Sequence, residues 1–310
     1  MAKDLPKLIV ILGQTAVGKT KLAIKLAKKF NGAIVSADSR QVYKKMNIGT
    51  AKPTKKEMRG IPYHLIDIIW PDQEFNVVIY KKIALQKIKE TQEKRKLPFL
   101  VGGTGLYIQS IVDNIKFPRV SPQKKLRKKL ELRTEKELFK IYKKLDPEGA
   151  KFIDKKNKRR LIRAIEVSKV GGFPFWKKRK RGKPLFDVLQ IGLLLEKECL
   201  KEEIKERIEK MLKMGLEKEV QGLVKKYGWF PALQTIGYQE WFSLVKASEN
   251  KRKISFSLTK NEREKVKEKI QLHTIQFAKR QMTWFKRDKR IKWIKNYKEA
   301  EKLVKNFLLK

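Results

Sequence analysis

The chain has 310 residues, room for one large domain or two smaller ones, and 41% apolar residues, enough to bury a core. A formal net charge of +44 concerns partners and solubility rather than fold. It suits a polyanion: RNA or DNA, whose neutralised phosphates release counterions, or an anionic membrane; a surface loosely decorated with lysine is the bland alternative. The single cysteine, Cys199, excludes a disulfide framework and a cysteine-based zinc site, and the only histidines, His64 and His273, exclude a metal held by several imidazoles. No apolar run reaches the ~18 residues of a membrane span and no signal peptide precedes the first strand, so the expectation is a soluble, cytoplasmic protein without a membrane partner; a monomer is expected as well.

In chain order, KLIVILG (7–13) reads as a buried parallel strand. It runs into GQTAVGKT (13–20), a phosphate-binding loop of the G-x-x-x-x-G-K-T type: Gly13, Gln14, Thr15, Ala16, Val17, Gly18, Lys19 and Thr20. Glycines let the backbone N–H groups turn around phosphate oxygens, Lys19 adds a point charge, Thr20 is a candidate Mg²⁺ ligand, and the helix that follows adds its dipole. Leu22, Ala23, Leu26, Ala27 and Phe30 recur at helical spacing. AIVSAD (33–38) is a second strand, a helix is expected over about 75–95, and LPFLVGG (97–103) is a third strand. This alternation predicts an α/β fold: a P-loop NTPase-like core with a parallel sheet flanked by helices.

From 116 to 184 the pattern turns helical and basic without a convincing strand, and the charge run at 177–183 reads as a loop. The simplest account is a helical insertion domain at 116–184 within a core made of 1–115 and 185–310; an ordinary helical face of one domain is the other. FDVLQIGLLLE (186–196) returns to the sheet, 201–227 reads as one long helix, and a further helix covers 273–287. On the last, Ile275, Ala278, Met282 and Phe285 form a core face, while Phe277, Arg280, Trp284 and Arg287 share a second.

A nucleotide hydrolase needs an acid at the end of a neighbouring strand to hold Mg²⁺. FLVGGTG has none; the acid is Asp38, at the end of the second strand. Strand ends share one crevice in an open sheet, so Asp38 is expected near the loop, as a Mg²⁺ ligand, a proton acceptor or a helix N-cap. GGTGLY (102–107) is a second glycine-rich turn, where Thr104 either bonds a phosphate or caps a helix. KNKRRLIRAIEV (156–167), QTIGYQEW (234–241) and TIQFAKRQMTWF (274–285) carry basic, amide and aromatic groups. These suit unpaired nucleotides, or are solvated and core faces, Trp284 included.

Taken together, GQTAVGKT, VSADSRQVYKKMNIGTAKP, GIPYHLIDI, LPFLVGGTGLY, RRLIRAIEV, MGLEKEV, TIGYQE and AKRQMTWF resemble the tRNA isopentenyltransferase family, the bacterial tRNA dimethylallyltransferases, from residue 13 to about 290. The resemblance implies transfer of a dimethylallyl group from dimethylallyl diphosphate to N6 of the adenosine next to the anticodon of tRNA, with Mg²⁺ as cofactor and the anticodon stem-loop clasped by the insertion. It implies Asp38 as general base, with Thr104 and the phosphate loop holding the diphosphate. It also implies RNA contacts at Asp38, Ser39, Arg40, Gln41, Thr104 and Arg127. Further contacts are implied at Arg159, Arg160, Leu161, Ile162 and Arg163, and at Gln234, Thr235, Ile236, Gly237, Tyr238 and Gln239. The last group is Thr274, Ile275, Gln276, Phe277, Ala278, Lys279, Arg280 and Gln281. The chain departs from the family pattern at Gln14 (usually Pro), at KECLKEEI (197–204), where Glu203 replaces an Arg, and at VGGFPF (170–175). A P-loop kinase for a small metabolite or nucleoside, and an RNA-binding protein with a relic loop, are the competing readings.

Overall fold

In the computed structural model, which describes residues 5–118, 120–175, 181–244, 246–247, 254–255 and 258–310, the apolar run Lys7–Gly13 forms β1. Leu8 to Leu12 are fully buried, as a strand covered on both faces must be. Helix α1 (Lys19–Lys29) follows the glycine loop, and Leu26 and Ala27 on its inner face are fully buried. Strand β2 is Gly32–Ser36, so Asp38 lies two residues past the strand rather than within it. A one-turn helix α2 (Lys55–Met58), a two-residue strand β3 (Tyr63–His64) and helix α3 (Val77–Glu93) lead to β4 (Leu97–Gly102) and α4 (Gly105–Val112).

Next come α5 (Lys124–Glu131), α6 (Glu135–Leu145), α7 (Pro147–Ala150) and α8 (Lys158–Gly171). The chain divides into two compact units, residues 1–111 with 185–310, and 112–184. The second unit has its own core, in which Leu130, Leu138, Tyr142, Leu161 and Ile165 pack together. Residues 177–180 of the basic run lie outside the described residues.

In the first unit the chain continues with β5 (Asp187–Leu193), α9 (Lys197–Lys213) and α10 (Leu216–Tyr227). The single helix expected over 201–227 is therefore two. Gly215 adopts φ +94°, a left-handed conformation that glycine reaches without the Cβ penalty, and the helix breaks there. Two-residue strands β6 (Lys246–Ala247) and β7 (Ile254–Ser255) pair antiparallel, and α11 (Lys260–Phe285) starts at a Thr259/Glu262 capping box. The helix expected from 273 is the C-terminal half of this longer one. Strand β8 (Lys292–Ile294) and α12 (Tyr297–Leu308) close the chain; neither was apparent from periodicity.

The main sheet has the order β3-β2-β4-β1-β5-β8, and every paired neighbour is parallel. One core joins the sheet to α1 and α12 through Ile9, Ile11, Leu26, Phe99, Ala300 and Val304. A second joins α9, α10 and α11 to the phosphate loop and the 42–46 turn through Val17, Val42, Met46, Ile204, Val220 and Ile270. Parallel strands with flanking helices give the P-loop-like α/β architecture, with the loop at the carboxyl end of a central strand. Among the described residues, no helix is long and apolar enough to cross a membrane.

Candidate active site

The phosphate loop leaves β1 at Gly13, where a Cβ would press on the Leu193 carbonyl of the adjacent strand. Ala16 (φ +67°) and Gly18 (φ +83°) then take left-handed conformations that curl the backbone. Gly18 caps α1 with no side-chain hydrogen bond, and the first turn holds no acidic residue. The helix N-terminus keeps its orphan N–H groups and its positive end for an anion.

Two cations face this loop. Lys19 Nζ donates to the Gln14 carbonyl. Its ammonium is pushed down to about 7, first by burial and then by the nearby Arg207 guanidinium, with Asp38 opposing. Arg207 Nη1 donates to Thr15 Oγ1 at 3.1 Å. Burial lowers its pKa as well, and Asp38 again opposes the shift. Among the described residues, Asp38 is the carboxylate that opposes both desolvated cations, so a ligand carrying several negative charges relieves the site.

Asp38 sits in the turn after β2. Its Oδ1 accepts from the N–H groups of Arg40 (2.8 Å) and Gln41 (3.2 Å). Both bonds fall on one oxygen, so Asp38 caps a turn while its carboxylate stays half-exposed beside the cations. The two uses weighed from the sequence are compatible. The turn is braced by the second glycine stretch: Ala37 N–H donates to Val101 O at 2.7 Å, and Thr104 N–H to Ala37 O at 3.2 Å. A Cβ on Gly102 would overlap the Ala37 carbonyl, which explains glycine there by close approach rather than by phosphate binding. Thr104 Oγ1 accepts from Ser39 N–H at 3.1 Å and lies 3.4 Å from Ser39 Oγ. Its hydroxyl is thus engaged with the Asp38 turn.

Helix α11 closes the site on another side. Gln281 Oε1 accepts from Thr15 N–H at 2.8 Å and Gln281 Nε2 donates to Gly103 O at 2.9 Å. Gln14 Nε2 donates to the Ala278 carbonyl at 3.0 Å. A Cβ on Gly105 would strike the Trp284 indole, so Trp284 packs against the second glycine turn.

Several residues expected at an RNA surface are structural here. Gln41 is buried and ties Ser36 to the carbonyls of Thr50 and Ala51. Tyr238 is fully buried, and its hydroxyl donates to Glu219 Oε1 at 2.6 Å. The same carboxylate accepts from the N–H groups of Asn47, Ile48 and Gly49, so MGLEKEV, NIGT and TIGY converge on one acid. Gly237, Ala278 and Gln281 are buried, and Thr235, Ile236, Thr274 and Ile275 are half-buried. Gln234, Gln239, Gln276, Phe277, Lys279 and Arg280 are the exposed members of these stretches.

Within the second unit, Leu161 and Ile162 belong to the core. Arg127 forms a two-pronged pair with the buried Glu166 (Nε and Nη2, both 2.8 Å), and Arg163 joins it. Burial would raise the Glu166 carboxyl; hydrogen bonds from Arg127, the Gln123 N–H and Arg163 outweigh it and hold the pKa below the usual range. Both arginines therefore serve the core of the unit, and Arg159 and Arg160 are the exposed pair.

The sequence reading missed Arg207. It stands one residue before Ile208, on the border of the α9 stripe formed by Leu200, Ile204, Ile208 and Met211, and that position was its signal. Glu203, the acid that departs from the family pattern, is exposed, and Arg207 one turn later on α9 reaches the loop.

Comparison with known proteins gives the family. The family model described as IPP transferase matches residues 41–288, and one described as isopentenyl transferase matches 6–74. The chain is 44% identical to a tRNA dimethylallyltransferase of Microcystis aeruginosa, covering 96% of this chain and 90% of the relative. It is 40% identical to one from Pelotomaculum thermopropionicum, covering 96% and 94%. Among solved structures, the full-length tRNA isopentenylpyrophosphate transferase of Bacillus halodurans superposes with a TM-score of 0.70 at 33% identity, covering 98% of this chain and 95% of that one. A eukaryotic dimethylallyltransferase acting on tRNA gives 0.75 at 28% identity, covering 90% and 70%. The chain belongs to the IPP transferase family, alongside the tRNA dimethylallyltransferases.

Proposed function

We propose that this protein transfers a dimethylallyl group from dimethylallyl diphosphate to N6 of the adenosine next to the anticodon of tRNA, releasing diphosphate. The observation that carries the reading is the Asp38 carboxylate beside a phosphate loop charged by Lys19 and Arg207. Family membership supplies the substrate class.

In the proposed reaction the bond from N6 to the dimethylallyl C1 forms as the C1–O bond breaks. The bonding pair of C1–O leaves with diphosphate, and the N6 proton passes to Asp38. Oδ1 is held by two backbone donors, which orients the carboxylate for that task. Lys19, Arg207 and the N–H groups at the start of α1 stabilise charge growing on the leaving oxygen. The target base must leave its stack, at a cost of about a few kcal/mol. Exposed groups of α11 and of the 234–239 stretch are suited to hold the anticodon stem-loop in that state, in the cytoplasm where tRNA is modified. Within the second unit, Arg159 and Arg160 are by themselves suited to RNA phosphates.

Thr20, at the start of α1 beside the Tyr63 hydroxyl, is the candidate Mg²⁺ ligand. Among the described residues no group of three or more His, Cys, Asp or Glu forms a metal cage. A single hydroxyl oxygen beside the phosphate loop fits Mg²⁺, which keeps waters and binds through one or two protein oxygens plus substrate phosphates. When bound, the ion supplies further neutralisation of the diphosphate.

The test is mass spectrometry of nucleosides from tRNA incubated with protein, dimethylallyl diphosphate and Mg²⁺. A dimethylallyl adduct on adenosine is expected. ATP consumption driven by a small acceptor, with no adduct, would overturn the reading.

A further inference from the structure

Gln281 is 6% exposed and commits both ends of its amide to backbone, to Thr15 N–H in the phosphate loop and to Gly103 O in the second glycine turn. Gln14 reaches the opposite way, from the loop to the Ala278 carbonyl of α11. A Cβ on Gly103 would press on Gln281 Nε2, so any side chain there would displace the amide. Two glutamines thus clasp the candidate diphosphate cradle to one helix. Solvent-facing positions of that helix carry Gln276, Lys279 and Arg280, the groups suited to RNA.

The clasp has an energetic consequence. The loop holds Ala16 and Gly18 in left-handed conformations, so ordering it costs conformational entropy. RNA that immobilises α11 also immobilises the loop through the clasp, and diphosphate then has less left to order. Such coupling is reciprocal: diphosphate tightens RNA by the same factor. We infer that Gln281 and Gln14 are positioning residues that couple RNA binding on α11 to diphosphate binding in the loop. Gln14 is a contribution of this chain, since proline, usual there in the family pattern, has no side-chain amide to donate.

This inference rests on the proposed function, and calorimetry of inorganic diphosphate with Mg²⁺, with and without tRNA, separates the two. In the wild-type protein tRNA is expected to raise diphosphate affinity by roughly tenfold, within the common range of coupling. Gln281→Met and Gln14→Met keep bulk and remove the amides; each should pull that factor toward one while tRNA affinity measured alone is retained. A wild-type factor of one, or an unchanged factor in both variants, overturns the inference, even if they melt earlier. If Gln281→Met does not fold, Gln14→Met decides, because it removes one hydrogen bond and leaves Gln281 in place. A wild-type protein that modifies tRNA without coupling sinks only this inference. One that neither binds diphosphate nor modifies tRNA sinks the proposed function.

Discussion

Arg207 Nη1 lies 3.1 Å from Thr15 Oγ1, so α9 delivers a guanidinium to a loop 192 residues earlier in the chain. Its charge also bears on Lys19, whose ammonium it depresses. Arg207→Ala is expected to weaken diphosphate binding by roughly ten- to a hundredfold, the loss of one charge-assisted hydrogen bond at about 1.5–3 kcal/mol. Arg207→Lys should recover part of the loss. Donor KM and diphosphate calorimetry report it, and an unchanged KM in Arg207→Ala would remove Arg207 from the cradle.

Asp38→Asn separates capping from proton transfer. The amide oxygen still accepts from Arg40 and Gln41, so the turn and the thermal midpoint should survive. The base is lost, and kcat should fall by roughly 10²- to 10⁴-fold with tRNA affinity little changed. Retention of full turnover would show that another group takes the N6 proton.

Lys19 sets a pH dependence with a definite sign. Its pKa near 7 in the free protein is below the ordinary 10.5, so the ammonium is lost as pH rises through about 7. Bound diphosphate favours the charged form and raises that pKa. Binding therefore takes up protons above pH ~7, and affinity should decline with rising pH from there, by at most about tenfold per unit. Titrations near pH 8 in two buffers of different ionisation enthalpy should show uptake approaching one proton, absent in Lys19→Met. Without ligand, the unfolded chain binds more protons between about 7 and 10.5, so this group makes the folded protein more stable as pH rises across that window.

Glu219 is predicted to matter for stability. Glu219→Ala strands the N–H groups of residues 47–49 and the Tyr238 hydroxyl, and should cost about 2–4 kcal/mol in chemical denaturation. Tyr238→Phe, which removes one of these bonds, should cost about 1 kcal/mol. Equal stability of Glu219→Ala and wild type would mean that water replaces the carboxylate.

Glu166 makes a corresponding prediction for the second unit. Its depressed pKa means that its stabilisation is present above the ordinary carboxylate pKa and is lost as pH falls through the lowered folded value. Glu166→Gln should flatten acid unfolding of that unit, followed by hydrogen exchange on α8. An acid limb identical to wild type would remove Glu166 as its source.

Sequence alone determined the elements whose signals are local. The loop spacing, the apolar runs of β1, β2, β4 and β5, and the helical stripes depend on neighbours within a few residues, and all appear in the structure. Strand β3, two residues long, and β8, three residues long, carry too little periodicity to be seen; they exist because the sheet edge pairs them. Site membership divided in the same way. Asp38 and Lys19 were legible because each lies a short step from a strand end. Tertiary structure alone decided that Arg207 meets the loop, that Glu219 gathers three motifs, that Gln281 and Tyr238 turn inward, and that Arg127 pairs with the buried Glu166. Those assignments depend on which face of a helix is covered, and what covers it comes from residues distant in the chain.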